Sequence, residues 1–176
     1  AYEISACLVG SENVYKRQTI GHEISHAFDN NGSLFDEFGT MKNWWTAEDR
    51  KAFEKVIAAM EAQFDGQEYE GTKVNGKLAV SENLADNAGM AVTLDLLKKA
   101  SIADLKDFFK AYAVSWRTKM RPEYAKAVLM RDVHAPATLR VNIPVQNFDA
   151  WYQTYEVKPG DHLYLSPEKR VHIWNH

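Results

Sequence analysis

His22-Glu23-Ile24-Ser25-His26 is flanked by Ile20-Gly21 and by Ala27-Phe28-Asp29. Residues four apart on an α-helix lie one above the other, so the two imidazoles face the same way and can grip one zinc ion. Glu23 is offset by about 100° around the helix, beside that pair, where a carboxylate can take a proton as water attacks a carbonyl and pass it on to the leaving amine. These residue types at this spacing point to metal-assisted hydrolysis with Glu23 as general base. The competing reading is an amphipathic helix whose histidines hydrogen-bond within a core, and the motif alone does not separate the two.

A catalytic zinc needs a third protein ligand and keeps a fourth position open. Ser81-Glu82-Asn83-Leu84-Ala85-Asp86 offers it: Glu82 is the candidate ligand. Asp86, one turn further on, can accept the second ring N–H of a ligating histidine. A solvated acidic face would explain the same pair, but Leu84, Ala85, Ala88 and Met90 crowd it. Buried carboxylates require cationic or donor partners, which two histidines and a metal supply.

Outward from these motifs the pattern is mostly helical from Thr19. A first helix runs to about Asn30, with Ile20, Ile24, Ala27 and Phe28 as its apolar positions. A second follows the N-cap Thr46 and carries Phe53, Val56, Ile57, Met60 and Phe64 on one stripe up to Asp65-Gly66. Residues 66–77 read as a loop or hairpin with a turn at Asn75-Gly76. Ser81 leads into a long, largely buried helix ending near Lys99. Further helices are expected over 102–118, from Pro122 to about Met130, and near Phe148 to Tyr155. Residues 1–18 show no clean period and are read as unassigned, a truncated end or an assembly or cloning scar. Residues 19–176 are read as one catalytic domain.

The 176 residues, 45% apolar and 26% charged, suit one folded domain. No apolar run approaches the ~20 residues that span a bilayer, so no transmembrane segment is expected. A net charge of −3 without blocks of like sign excludes a nucleic-acid stripe. The one cysteine, Cys7, excludes an internal disulfide.

Taken in order, Ile20-Gly21-His22-Glu23-Ile24-Ser25-His26-Ala27-Phe28-Asp29-Asn30-Asn31-Gly32, Trp44-Trp45-Thr46 and Ser81 to Gly89 resemble the neprilysin and endothelin-converting-enzyme family of zinc metallopeptidases. So do Arg121-Pro122-Glu123-Tyr124-Ala125, Asp132-Val133-His134-Ala135-Pro136, Leu139-Arg140-Val141, Gln146-Asn147 and Pro167 to Trp174. The resemblance spans about residues 19–174. It implies a mainly α, thermolysin-like (gluzincin) zinc metallopeptidase catalytic region with little β structure. It also implies one zinc ion on His22, His26 and Glu82, with Glu23 as general base activating zinc-polarised water, Asp86 orienting His22 and Asp29 buttressing His26.

Other roles come only through this likeness. His134, by itself a structural histidine as readily as anything else, is implied to donate to the tetrahedral oxyanion. Arg140, otherwise a surface cation, is implied to clamp the substrate backbone past the cleaved bond. Ser115 and Trp116 are implied to line the first pocket on the leaving-group side, although Trp116 alone could be plain core. Trp44, Trp45 and Trp174 are assigned to packing.

Family members carry a substrate-binding edge strand upstream of the zinc helix and a large helical domain over the active site. This chain therefore resembles the C-terminal catalytic piece of a longer protein, joined to an N-terminal helical domain. The expected activity is metalloendopeptidase cleavage of oligopeptide substrates, with a catalytically incomplete zinc- or peptide-binding fragment as the alternative. An aminopeptidase would need an acidic motif upstream of His22, and none is present. Lack of the disulfides seen in vertebrate members points to a bacterial homologue. Cell envelope or secretion is the first expectation for its location and the cytoplasm the second.

Overall fold

A computed structural model describes residues 11–173, with side chains from Lys16 onward. Cys7 and Trp174 lie outside the described residues. Seven α-helices occur in it: α1 (Ser11–Ser25), α2 (Ala47–Phe64), α3 (Gly76–Leu96), α4 (Ile102–Ser115), α5 (Pro122–Leu129), α6 (Ala137–Val145) and α7 (Asp149–Tyr155). The two strands, β1 (Glu68–Tyr69) and β2 (Thr72–Lys73), form one short antiparallel hairpin. The chain is mainly α, as expected. No described helix is long and apolar enough to cross a membrane.

The central element is α3, which packs against α1, α2 and α6. Its middle is enclosed all round: Asn83 through Met90 are all buried. One core cluster joins α2 to α3 through Phe53, Met60, Phe64, Ala79, Val80 and Leu84. A second gathers Met90, Leu97, Leu105, Phe108, Phe109 and Tyr112 where the far half of α3 meets α4. The α2 stripe follows the sequence period, with Thr46 accepting from the Asp49 amide as N-cap. Ser101 caps α4 in a reciprocal capping box with Asp104, and Pro122 occupies the first turn of α5.

Three expectations change. The zinc-motif helix is already formed at Ser11, the first described residue, rather than from Thr19, so residues 11–18 of the unassigned stretch are helical. Its α-helical hydrogen bonding ends at Ser25, and His26–Phe28 form a tighter 3-10 turn. There the Asp29 carboxylate captures the Asn31 and Gly32 amides, both at 2.7 Å, and draws the chain out of the helix. Second, the apolar positions of α1 face outward: Ile20 is 59% and Ile24 64% exposed, while Gln18, Gly21, His22 and Ser25 are buried. The helix turns its polar side inward because the partners for that side lie on α3. Third, Asn75-Gly76 is no hairpin turn. The chain reverses at Glu70 and Gly71, both at positive φ, and Asn75 caps α3 by accepting from the Leu78 amide. The long helix therefore starts at Gly76, five residues before Ser81.

The α1–α3 crossing depends on two glycines. A Cβ on Gly89 would stand 2.7 Å from the Gln18 carbonyl oxygen and 2.9 Å from the His22 nitrogen, and one on Gly21 would stand 3.0 Å from the Gly89 Cα. Helices this close bring the His22 ring within reach of α3. Glycine normally costs helix stability against alanine, yet here alanine would push two backbones apart. Urea unfolding of Gly89→Ala is expected to show a loss of about 1–3 kcal/mol, the usual cost of overpacking a tight contact; a variant as stable as the parent would mean that the crossing is loose.

Candidate active site and metal centre

His22 and His26 project from the end of α1 and the following turn, with their rings edge to face at 4.7 Å between centroids. Glu82 comes from the second turn of α3. The three side chains converge: His22 Nε2 lies 3.1 Å from His26 Nε2 and 3.3 Å from Glu82 Oε2, and His26 Nε2 lies 3.6 Å from Glu82 Oε1. Two ligands at tetrahedral angles on zinc, each ~2.0–2.1 Å from it, stand about 3.3–3.4 Å apart, so these spacings fit one shared ion.

The orientation fits as well. Each imidazole spends its Nδ1 on a carboxylate, His22 on Asp86 (2.9 Å) and His26 on Asp29 (2.7 Å). With the proton on Nδ1, both Nε2 lone pairs are left to face the common point. Glu82 Oε2 is buried and accepts no aligned hydrogen bond, although His22 Nε2 and His134 Nε2 stand within 3.3 Å of it. An orphaned buried carboxylate oxygen beside two imidazole lone pairs is the donor set a divalent cation satisfies.

The field points the same way. Burial opposes a charge on His22, but contacts with Asp86 and Glu82 outweigh it and push its pKa up to about 9. Burial alone would raise Glu82; the His22 contact and the charges of His134 and His26 bring it below the usual carboxylate range. The pocket is thus arranged to hold positive charge.

Asp86 anchors this array. It is fully buried, and its two oxygens accept the Arg140 fork, Nε at 2.5 Å and Nη2 at 2.8 Å, besides His22 Nδ1 and, at 3.4 Å, the Gln18 amide. Desolvation favours its neutral form, but the donors from His22 and Arg140 win and hold it ionised below its ordinary range. Arg140 is no surface cation: it is 6% exposed, its carbonyl accepts from the Tyr112 hydroxyl (2.8 Å), and its guanidinium lies 4.2 Å from the Trp116 ring centroid.

A cleft of about 250 Å³ opens beside these groups and is lined by Gln18, His22, Glu23, Asp86, Ser115, Trp116, His134 and Arg140. All of the expected site residues other than His26, Glu82 and Asp29 therefore share one cavity wall; His26 and Glu82 adjoin it through His22, and Asp29 stands behind His26. Glu23 is exposed at the rim. His134 is steered by Asp132, which accepts from its backbone amide (3.0 Å) and its Nδ1 (2.7 Å). Trp116 has two faces, since it also packs against the second core cluster. The Ser115 hydroxyl is committed to the Tyr112 carbonyl (2.7 Å). Trp45 packs as expected, stacked on Phe53 at 5.2 Å, and Trp44, 42% exposed, packs against Trp45 with ring centroids 4.6 Å apart.

Four contributors carry no role in the sequence reading. Gln18 stands one helical turn before His22, a spacing legible only once α1 is extended upstream. Asp132, two residues before His134, has the position from which an aspartate reaches the next-but-one amide. Tyr112 and Ser81 leave no local signal, because their partners are 28 and 52 residues away.

Residues 16–171 match the sequence profile described as Peptidase family M13. The chain belongs to peptidase family M13. Among curated relatives, the neutral endopeptidase of Lactobacillus helveticus is 52% identical over 156 residues, which is 89% of this chain and 24% of the relative. Human neprilysin is 29% identical over 171 residues, covering 88% of this chain and 22% of its own length. Among solved M13-like structures, PepO from Lactobacillus rhamnosis superposes with TM-score 0.89 and 61% identity over 93% of this chain and 26% of that one. An inhibitor complex of a Mycobacterium tuberculosis zinc metalloprotease gives TM-score 0.83 and 33% identity over 90% and 27%. The chain thus spans about a quarter of the length of the curated relatives it matches.

Removing Asp86 would leave the Arg140 charge buried without its partner. Asp86→Ala is expected to lose about 3–5 kcal/mol in urea unfolding, as broken buried pairs do, while Glu54→Ala, which breaks the exposed Arg50–Glu54 pair, should change stability by under about 0.5 kcal/mol. Equal effects would contradict the anchoring role of Asp86.

Proposed function

We propose that this region is the metal-binding and catalytic part of a zinc-dependent metalloendopeptidase that cleaves oligopeptides. The observation that carries this is the convergence of His22 Nε2, His26 Nε2 and a Glu82 oxygen, all within 4.8 Å of one another. The names of the relatives, neutral endopeptidase and zinc metalloprotease, support the same reading. Their greater length supports an additional helical domain beside this one.

His22, His26 and Glu82 would hold one zinc ion, with Asp86 and Asp29 fixing the two imidazoles. Zinc held there supplies Lewis acidity, polarising a carbonyl and making water a competent nucleophile near neutral pH. Glu23, at the cleft rim one residue from a ligand, takes the proton from the attacking water and returns it to the leaving amine, a role that typically contributes 10²–10⁴-fold. His134 lines the same cleft and donates from Nε2 to the developing oxyanion, held in line by Asp132.

Arg140 is fixed by Asp86 on one side and Trp116 on the other, so its remaining N–H groups can meet a substrate carbonyl or carboxylate without losing side-chain freedom on binding. Trp116 and Ser115 bound that end of the cleft and favour an apolar side chain there. Peptide binding without turnover is the alternative, and the retention of Glu23 beside the metal ligands argues against it.

Titration of the full chain should show one zinc equivalent. Glu23→Gln should retain it while hydrolysis of a quenched peptide falls by at least about 10²-fold, and Glu82→Ala should lose the metal. Hydrolysis that survives in Glu23→Gln would overturn the general-base assignment; zinc bound without cleavage by the unsubstituted chain would favour the binding reading.

A further inference from the structure

A serine inside a helix ordinarily returns its hydroxyl to the carbonyl one turn back. Ser81 does not. It sits in the second turn of α3, next to Glu82, and its Oγ donates at 2.5 Å to Asp29 Oδ2, a residue 52 positions away beyond the end of α1. Asp29 is 3% exposed and every acceptor site on it is used. Oδ1 takes the Asn31 and Gly32 amides, and Oδ2 takes His26 Nδ1 at 2.7 Å together with Ser81.

The two oxygens have different supports. Oδ1 is held by backbone on its own loop. Oδ2, which sets the tautomer and tilt of His26, has one contact outside that loop, and it comes from the helix that delivers Glu82. His22 needs no such tie, since Asp86 stands on α3 already and Arg140 grips it.

We infer that Ser81 is a positioning residue for the metal site: its hydroxyl fixes the Asp29 carboxylate and thereby registers His26, in the turn that follows α1, against Glu82, on α3. The inference rests on the proposed metal site. Without the hydroxyl, Asp29 keeps its loop amides but its Oδ2 can swing, and His26 Nε2 is no longer aimed at the point where His22 and Glu82 meet. The fold asks little of this contact, because alanine is a better helix former than serine.

The test is metal affinity of the full chain by competition with a chelator, for both zinc and cobalt, with the visible cobalt spectrum as a second readout. Ser81→Ala should weaken metal binding about tenfold, at the low end of what loss of an outer partner of a ligating histidine costs. It should alter the cobalt absorption band and leave the melting temperature of the metal-free chain within a few degrees of the parent. Ser81→Thr, which keeps the hydroxyl, should restore both affinity and spectrum. In an Asp29→Asn background Ser81→Ala should have no further effect on affinity, because the two residues act as one unit. Parent-like affinity in Ser81→Ala, or an equal loss in the Asp29→Asn background, would overturn the role of Ser81. Failure of the unsubstituted chain to bind either metal would instead overturn the metal site itself.

Discussion

The Asp86 carboxylate is enclosed on every side, and an ion taken out of water is tolerable only when donors replace the lost hydration. Those donors come from two separate elements, His22 and Gln18 on α1 and the Arg140 fork on α6, and meet a residue in the middle of a third, α3. Satisfying one buried charge therefore fixes where the motif helix, the central helix and the arginine helix stand relative to one another. The Gly21–Gly89 approach makes the α1 side of that arrangement possible, since a side chain at either position would hold His22 away from Asp86. The same enclosure sets the electrostatics: the carboxylates of Asp86 and Glu82 favour positive charge on His22, where a divalent cation can take the place of a proton.

What the chain displays locally could be read from it. The i, i+4 histidines, the one-turn spacing of Glu82 and Asp86 and the Thr46 cap are patterns within one helix and its ends, and the structure brings His22, His26 and Glu82 together. The inward face of α1 could not be read that way. Ile20, Ile24 and Phe28 recur at helical spacing and imitate a core stripe, but the buried side is Gln18, Gly21, His22 and Ser25, because what covers a polar face is chosen by tertiary partners rather than by hydrophobicity. The extension of that helix upstream of Thr19 was hidden for the same reason: residues 11–18 lack an apolar period, and Gln18 reaches Asp86. Asn75-Gly76 has the composition of a hairpin turn and serves as a cap, a choice decided by the long helix that follows. Ser81 and Tyr112 act across dozens of residues, and no spacing rule reaches that far.

Membership of peptidase family M13 and the geometry agree on where chemistry would occur, and each adds something the other lacks. The family accounts for the order of the motifs along the chain. The geometry accounts for their division of labour: imidazole Nδ1 atoms toward carboxylates, Nε2 atoms toward a shared point, and Arg140 braced between Asp86 and Trp116 at the cleft. The exposed apolar side of α1 lies outside that division.

The central claim is that two imidazoles, from α1 and the turn that follows it, and one carboxylate, from α3, hold a single zinc ion. Zinc-edge X-ray absorption of the zinc-loaded full chain tests it most directly. The account predicts a four- or five-coordinate site with two imidazole nitrogens at about 2.0–2.1 Å, visible by their ring scattering, and the remaining ligands oxygen at about 2.0–2.2 Å. A six-coordinate, all-oxygen shell, or one with a single imidazole, would contradict it.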